Sequence, residues 1–338
     1  MHEIKYVKKN YCSVCGSEGN SIYYNLVDKL FNAPGEWSFY KCGNINCNLI
    51  WLNPMPLEED IYIAYKNYYT HTDRIENLST LRKIYKKVQA EYLSAKFGYG
   101  KSETPFLKYF LFLDPDHLEQ TKYDVMYLEN NKGKILDVGC GSGIFLDFLN
   151  RNGWDTTGVD FDAGAVEYAR AKKLNVKYGN VSEQNFPDNS FDVITLAHVI
   201  EHIYDPIGLL KECYRILKPN GKIIVATPNT NSLGHKNFKK YWRGLEPPRH
   251  INVFSPESLT NAVILSGFSN PSSFTSSRIA RYIFNFSGEF RRINHSRNYV
   301  SRYTRFKAKL FSLFEWSLIK LGAPCGEEVI LIAKKVEL

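Results

Sequence analysis

Four cysteines near the start of the chain form two short-spaced pairs, Cys12-Ser-Val-Cys15 and Cys42-Gly-Asn-Ile-Asn-Cys47, separated by a 26-residue excursion. Two thiolates from each pair can close a tetrahedral site with no position left for water, the chemistry of a structural zinc ion rather than a catalytic one. Further on, Lys134 to Leu146 reads KILDVGCGSGIFL, an apolar run ending at Asp137 and followed by Gly139, Gly141 and Gly143. Glycines so placed let the chain turn sharply and let a ligand lie against bare backbone at a helix N-terminus. The dinucleotide pattern needs a glycine where Ile144 stands, and the Lys-Ser/Thr ending of a phosphate loop is absent. A nucleoside-like ligand without a pyrophosphate is therefore expected. Asp160, which closes the next apolar run at Thr156 to Val159, can accept hydrogen bonds from both ribose hydroxyls. Two histidine clusters offer bases: His198-Val-Ile-Glu201-His202 and Pro247-Pro-Arg249-His250. Arg249 adds a cation suited to a phosphate or carboxylate.

The elements that must hold these groups are read from local pattern. An apolar strand, a glycine turn and a helix place the ligand loop in an α/β sheet. Ser255 is a natural N-cap with Pro256 at the first helical position and Ser258 in the capping-box place, so His250 sits on a loop pinned by a helix start. On a helix, His198 and His202 would share a face with Glu201, a geometry that metals also use. Pro54 and Pro56 favour an extended linker, after which Glu58 to Tyr69 can form a helix. Leu78, Leu81, Tyr85, Val88 and Tyr92 recur at helical spacing. Helices here could cover the ligand as a lid, or Tyr62, Tyr65, Tyr68 and Tyr69 could simply pack one module on another.

With these residues in hand, Lys134 to about Phe268 resembles the class I S-adenosylmethionine (SAM) dependent methyltransferases. Asp137-Val-Gly-Cys-Gly-Ser-Gly looks like the motif for the methionine end of SAM, and Gly158-Val-Asp160 like the ribose-binding acid. Asn185-Phe-Pro-Asp-Asn-Ser-Phe-Asp192 resembles the approach to the fourth strand, and Leu217-Lys-Pro-Asn-Gly221 the turn before the fifth. The resemblance implies a Rossmann-like seven-stranded sheet and SAM held by Asp137, Gly139, Gly141, Gly143 and Asp160, with Asn180 and Val181 at the adenine. Asn180 stands where the family usually has an aspartate, and its amide oxygen can still accept. Leu49 to Tyr69 resembles methyltransferases with an N-terminal zinc module, among them sugar C-methyltransferases and enzymes linked to polysaccharide synthesis. In those sugar enzymes a histidine at the place of His250 looks like the catalytic base, preceded by a tyrosine and a glutamate. Here Pro247 and Arg249 stand instead, which favours deprotonating a hydroxyl over a carbon. His250 is the expected general base, with His202 second and Glu201 beside it. Tyr65, Tyr69, His198 and Arg249 are the expected substrate contacts. Some quinone O-methyltransferases also resemble the His198 to His202 stretch and bind a divalent metal through acids there, but His198 replaces the leading acid.

At 338 residues the chain exceeds one such domain. The expected division is a zinc module at 1–57, a helical linker or lid at 58–130, a methyltransferase core at 131–277 plus 325–338, and a basic aromatic helical insertion at 278–324. Glu327 to Lys334 would be the last strand. Between Arg278 and Gly322 there are ten Lys or Arg against two acids, a local excess equal to the chain's +8. There Phe306, Leu310, Leu313, Phe314 and Leu321 share a helical stripe. Three readings stand for it: a cap on its own domain or on a second copy, contact with an anionic membrane, and, last, nucleic acid. Cys140, Cys213 and Cys325 stand alone and suit core or turn positions. With no apolar run of about 18 residues and no signal-peptide pattern, a cytoplasmic protein is expected, peripheral at most to the inner face of the plasma membrane. The expected activity is O-methylation of a sugar hydroxyl on a surface glycan or its nucleotide- or lipid-linked precursor. A zinc-module RNA methyltransferase, a sugar C-methyltransferase and a non-catalytic binding module are the alternatives.

Overall fold

The computed structural model describes residues 3–66, 80–291 and 302–336. The N-terminal part is built from short strands: β1 (Tyr6–Val7), β2 (Gly19–Leu26), β3 (Trp37–Cys42), β4 (Ile50–Leu52) and β5 (Met55–Pro56). Two helices follow, α1 (Thr80–Phe97) and α2 (Pro115–Asp124). Then come β6 (Lys134–Val138), α3 (Ile144–Arg151), β7 (Asp155–Asp160), α4 (Ala163–Ala171), β8 (Val176–Tyr178) and β9 (Phe191–Ala197). They are followed by α5 (Pro206–Ile216), β10 (Leu217–Pro228), α6 (Leu233–Phe238), β11 (Asn252–Val253), α7 (Pro256–Leu265) and β12 (Ser269–Ser276). The chain closes with α8 (Ala280–Arg291), α9 (Arg302–Lys320) and β13 (Glu328–Lys334).

Seven strands form the main sheet in the order β12-β13-β10-β9-β6-β7-β8, with β13 antiparallel to both its neighbours and β6 to β10 parallel. This is the expected Rossmann-like sheet. Its inner strands read as unbroken apolar runs because helices cover both faces: Ile135, Leu136, Ile194, Leu196 and Ile223 to Ala226 are fully or almost fully buried. The chain reverses direction across the sheet between β6 and β9, so the crevice at the carboxyl ends of these two strands is where a ligand fits.

A second sheet, β2-β3-β4-β11, is antiparallel, and its last strand comes from the loop before α7 rather than from the N-terminal part. Trp37, Phe39, Ile50 and Leu52 share one apolar cluster with Phe238, Trp242, Leu245, Ile251 and Val253. The N-terminal sheet therefore buries its face against the main domain. So small a segment would draw most of its folding free energy from a bound metal if it stood alone, and this apolar burial adds a second source.

One expectation of local structure changes and another is refined. Among the described residues, the stretch after Pro56 holds one 3-10 turn at Ile61–Tyr65 instead of a longer helix, and Tyr68, Tyr69 and Leu78 lie outside the described residues. Helix α9 does form within the insertion, but it buries Ala308, Ser312 and Glu315. Its apolar stripe turns outward, with Phe306, Leu310 and Phe314 each more than half exposed or close to it and Leu321 at 84%.

Glu315 on that buried face accepts from the backbone N–H of Glu327 at 3.1 Å, and the Glu327 carboxylate accepts from Gly234 N–H and Trp242 Nε1–H. Burial, then repulsion from Glu327, pushes Glu315 well above the usual carboxyl range, and burial pushes Glu327 to about 7. A carboxyl raised in the folded state stabilises it while protonated, and that contribution is lost as pH rises through the folded value. Glu315→Gln keeps the shape and removes the charge. Its melting temperature should move up relative to wild type as pH rises from about 5 to about 8, by about 2–5 °C at the upper end. Calorimetric scans of both proteins across that range check this; a difference that shrinks with rising pH would contradict it.

Candidate active site at the carboxyl edge of the sheet

The glycine loop follows β6 as its spacing requires. Gly139, Gly141 and Gly143 have φ of 69°, 52° and 76°, the left-handed region where glycine is at ease. A Cβ on Gly141 would meet nothing within 4 Å, so bare backbone faces open space there, whereas one on Gly139 would strike Val199. Asp160 at the end of β7 accepts from Gly141 N–H at 2.7 Å and Asp162 N–H at 2.9 Å, tying the ribose-type acid to the loop. Asp137 is buried, accepts from Thr195 Oγ1 at 2.7 Å, and is raised by burial to about 7. Phe161, beside Asp160, is 57% exposed, an apolar face at the mouth of this loop. Asn180 is exposed with its amide nitrogen turned towards Glu183, leaving the amide oxygen able to accept, while Val181 is buried.

The histidines lie beyond β9, and not on a helix. His198 has φ +56°, and residues Ile200–His202 make one 3-10 turn. The two rings therefore part company. His198 Nδ1 lies 3.1 Å from Glu201 Oε1 and Nε2 2.6 Å from Glu328 Oε1, with Arg278 against both His198 and Glu328. Although burial opposes it, the two carboxylates raise His198 to about 9, so it is an imidazolium fixed between acids and only part-exposed to any substrate. His202 turns the other way: Nδ1–H donates to the Arg249 carbonyl at 2.9 Å, and the Tyr65 hydroxyl lies 3.1 Å from the same nitrogen.

His250 packs edge-on to His202 with ring centroids 4.8 Å apart. Its Nδ1–H donates to the Gly244 carbonyl at 2.8 Å, leaving Nε2 as the lone pair it can offer. Burial pulls His250 down to about 4, so the ring is neutral at ordinary pH. Glu246 Oε2 stands 3.6 Å from that Nε2. Against the upward push of burial, the neighbouring histidines hold Glu201 at about 2. Glu201, His202 and His250 each bring one ligand atom within 4.8 Å of the others, a set that could hold a divalent metal. Tyr65 bridges the two halves of the site, touching His202 on one side and the Phe161 ring, 5.6 Å away, on the other.

A family profile described as a methyltransferase domain matches residues 114–273, which hold the glycine loop, Asp160 and both histidine clusters. The chain carries a SAM-dependent methyltransferase domain. Over 97 residues it is 36% identical to a probable S-adenosylmethionine-dependent methyltransferase of Mycolicibacterium smegmatis, covering 28% of this chain and 38% of that one. Over 131 residues it is 32% identical to the ubiquinone biosynthesis O-methyltransferase of Idiomarina loihiensis, covering 37% and 51%. The chain thus spans about half or less of these relatives' length. A SAM-dependent methyltransferase from Archaeoglobus fulgidus aligns over 67% of this chain and 99% of its own at 23% identity and a TM-score of 0.45.

Around the methyltransferase domain, the N-terminal part supplies more of the site than its cysteines foretold. Cys12 and Cys47 sulfurs lie 3.7 Å apart, Cys15 and Cys42 3.3 Å, and all four fall within 4.8 Å of one another. A tetrahedral zinc site with sulfurs at ~2.3 Å has sulfur–sulfur edges of roughly 3.8 Å, so the thiols already stand as a donor set. They are not disulfides, and Cys140, Cys213 and Cys325 are buried free thiols. β4 pairs with β11, Leu52 N–H donates to the Ile251 carbonyl, and Ser255 Oγ donates to the Cys47 carbonyl. The His250 loop is therefore stitched to the cysteine module on its far side.

Arg249 departs from its expected role. It is 1% exposed and is spent within the fold, on Asp28, Glu246 and the Ala64 carbonyl, so it braces the loop rather than meeting a substrate anion. Tyr69, the remaining expected contact, lies outside the described residues. Glu246, Glu328 and Arg278 were missed by the sequence reading. An acid four residues before His250 was the only signal for the first; the others come from distant segments.

Proposed function

We propose that the protein is a SAM-dependent O-methyltransferase acting on a sugar hydroxyl of a bacterial surface glycan or of its nucleotide- or lipid-linked precursor, with His250 as general base and zinc in the cysteine module. The observation that carries this reading is the neutral, buried His250, whose free Nε2 faces Glu246 and His202. The sugar C-methyltransferases that the sequence resembles carry a glutamate just before this histidine; here Pro247 and Arg249 stand at those places, and Glu246, four residues upstream, brings a carboxylate to 3.6 Å from Nε2. When bound, SAM supplies the electrophilic methyl group. This chain's residues then orient the acceptor hydroxyl, exclude water and take its proton at His250 Nε2, with Glu246 able to stabilise the resulting imidazolium. His202, held by Arg249 and Tyr65, walls the same space.

Relatives named as ubiquinone biosynthesis O-methyltransferases support oxygen as the acceptor atom and leave the sugar assignment to the cysteine module and its Pro54-Met-Pro56 sequel. Among the described residues no helix is long and apolar enough to cross a membrane. The outward stripe of α9, with Arg302, Lys307 and Lys309 on the same helix, suits peripheral contact with an anionic bilayer that carries a lipid-linked acceptor. Exposed Phe106, Tyr109, Phe110 and Leu113 add a second apolar face.

The test is mass spectrometry of surface polysaccharide from a deletion strain. One methyl ether per repeat should disappear and return on complementation. An unchanged glycan together with a missing methyl on a quinone or an RNA would refute the sugar reading.

A further inference from the structure

A cavity of ≈ 230 Å³ opens between the β2–β3 connection and the segment leading to His250. Its walls include Lys29, Lys240, Tyr241, Arg243, Glu246 and Pro247. The charges in this wall do not cancel. Asp28, also in the lining, is consumed by Arg249 and by the backbone N–H groups of Leu30, Phe31 and Ala33. Both oxygens of Glu246 are taken, Oε1 by Arg249 Nε–H and Oε2 by Arg243 Nη1–H. Lys29 and Lys240 are left exposed at the rim without a carboxylate partner among the described residues. Lys29 Nζ donates to the Phe290 carbonyl at 2.7 Å, and both ammonium groups lie over the Tyr241 ring, at 5.3 and 5.4 Å from its centroid. Arg243 is 8% exposed, and its Nε–H has no hydrogen-bond partner among the described residues. The guanidinium is paired with Glu246 through Nη1, yet a buried N–H left without an acceptor is costly, and an anionic acceptor in the cavity would relieve that cost.

We infer that this cavity is the subsite for the diphosphate of a phosphorylated acceptor, held by Arg243, Lys29 and Lys240 beside the base. Whole small-molecule sites run from about 300 Å³ upwards, so a smaller space suits one part of a ligand. Two phosphoryl groups fit the donor set, three cationic side chains with no free acid among them. The position serves the reaction: Glu246 forms the wall between the cavity and His250, and its Oε2 lies 3.6 Å from His250 Nε2. An acceptor anchored by its diphosphate here needs to reach only past one side chain to present a hydroxyl to the base. The inference rests on the proposed glycan-precursor reading and selects, within it, an acceptor still carrying its diphosphate over a finished polysaccharide. That diphosphate can belong to a nucleotide or to a polyprenyl lipid.

The test is calorimetric titration of the full chain with SAM, then with inorganic pyrophosphate, UDP and geranyl diphosphate in the presence of SAM. Pyrophosphate should bind saturably, and Lys29→Ala/Lys240→Ala should weaken it about tenfold while SAM affinity stays at the wild-type value. Arg243→Lys should weaken it further. The two lysines are exposed, so their variant keeps the test valid if the Arg243 variant fails to fold. UDP binding tighter than pyrophosphate supports the subsite with a nucleotide donor of the anion, and tighter geranyl diphosphate supports it with a lipid. Saturable SAM binding with no saturable pyrophosphate binding, or equal pyrophosphate affinity in wild type and the lysine variant, overturns the inference and leaves the methyltransferase reading standing. Absence of SAM binding would instead strike that reading.

Discussion

Replacing His250 by asparagine should lower methyl-transfer turnover by about 100- to 10,000-fold while SAM binding is retained, since general-base assistance is typically worth that much. Asparagine is the informative choice. Its amide nitrogen falls close to the position of Nδ1 and can keep the hydrogen bond to the Gly244 carbonyl, while Nε2 and its lone pair vanish. The loop is thus disturbed little and the base removed. Glu246, now without its histidine, still has Arg243 and Arg249 on its oxygens, so no uncompensated charge is created. The wild-type pH profile gives a second readout. Burial pulls His250 down to about 4, so the neutral, competent ring should persist as pH falls below the ordinary histidine value near 6.5. The acid limb of kcat/KM should then fall well below pH 6.5 and be absent in the variant. The same shift has a stability side. A histidine depressed in the folded state favours folding fully above the unfolded value, and that contribution is lost as pH falls towards the folded one. Turnover of His250→Asn equal to wild type, with SAM bound normally, would move the base elsewhere, to His202 first.

How far the site could be read in the sequence follows the range of the interactions that make it. The β6 strand, its three glycines and Asp160 were legible because each is specified locally: a buried parallel strand is a short apolar run, and positive φ selects glycine. The start of α7 was legible for the same reason. Ser255 and Ser258 complete a capping box, a pattern contained within four residues. The His198 to His202 stretch misleads because its four-residue spacing fits a helix that the backbone does not form. A positive φ at His198, uncommon for a residue with a Cβ, breaks the register, and the two rings take different partners, His198 the Glu201 carboxylate and His202 the Arg249 carbonyl. Arg249 looked like a substrate cation because sequence carries no burial. Asp28, which neutralises it, lies more than two hundred positions away. β11 was invisible for a different reason: two residues are too few to show a period, and only its partner β4 makes them a strand. The outward stripe of α9 shows the complementary limit. Periodicity located the apolar face of the helix but not which side the protein would bury.

The pairing of β11 with β4 sets up the second large effect, removal of the zinc proposed for the cysteine module. Stripping the chain with a strong chelator, or replacing Cys42 by serine, should abolish methyl transfer while leaving SAM affinity unchanged. The glycine loop follows β6 and is tied to Asp160 at the end of β7 within the main sheet, so the methyl-donor half should survive. The His250 loop has no such independence. Asn252 pairs with Trp51 and Val253 with Ile50, Ser13 Oγ donates to the Asn252 side chain, and Ser255 Oγ donates to the Cys47 carbonyl itself. Four thiols so close cannot all ionise without a cation. Cys12, favoured by its hydrogen bond from Cys47, is lowered to about 5, while burial first and the neighbouring thiols next raise Cys42 to about 12. Without the proposed ion the knuckles would lack a cross-link, and β4 would lose the fixed edge on which β11 is laid down. The shared apolar cluster around Trp37 and Trp242 should keep the module attached, so the expected state is a folded protein with a loosened base loop. Hydrogen exchange separates this from general unfolding: amides at 249–255 and 50–52 should exchange faster in the stripped protein, and those of β6, β7 and β9 at the native rate. Zinc should restore both protection and turnover. Full activity in a chain shown by metal analysis to hold no zinc would refute the coupling, and fast exchange throughout the main sheet would show that the ion holds the whole fold and not the loop.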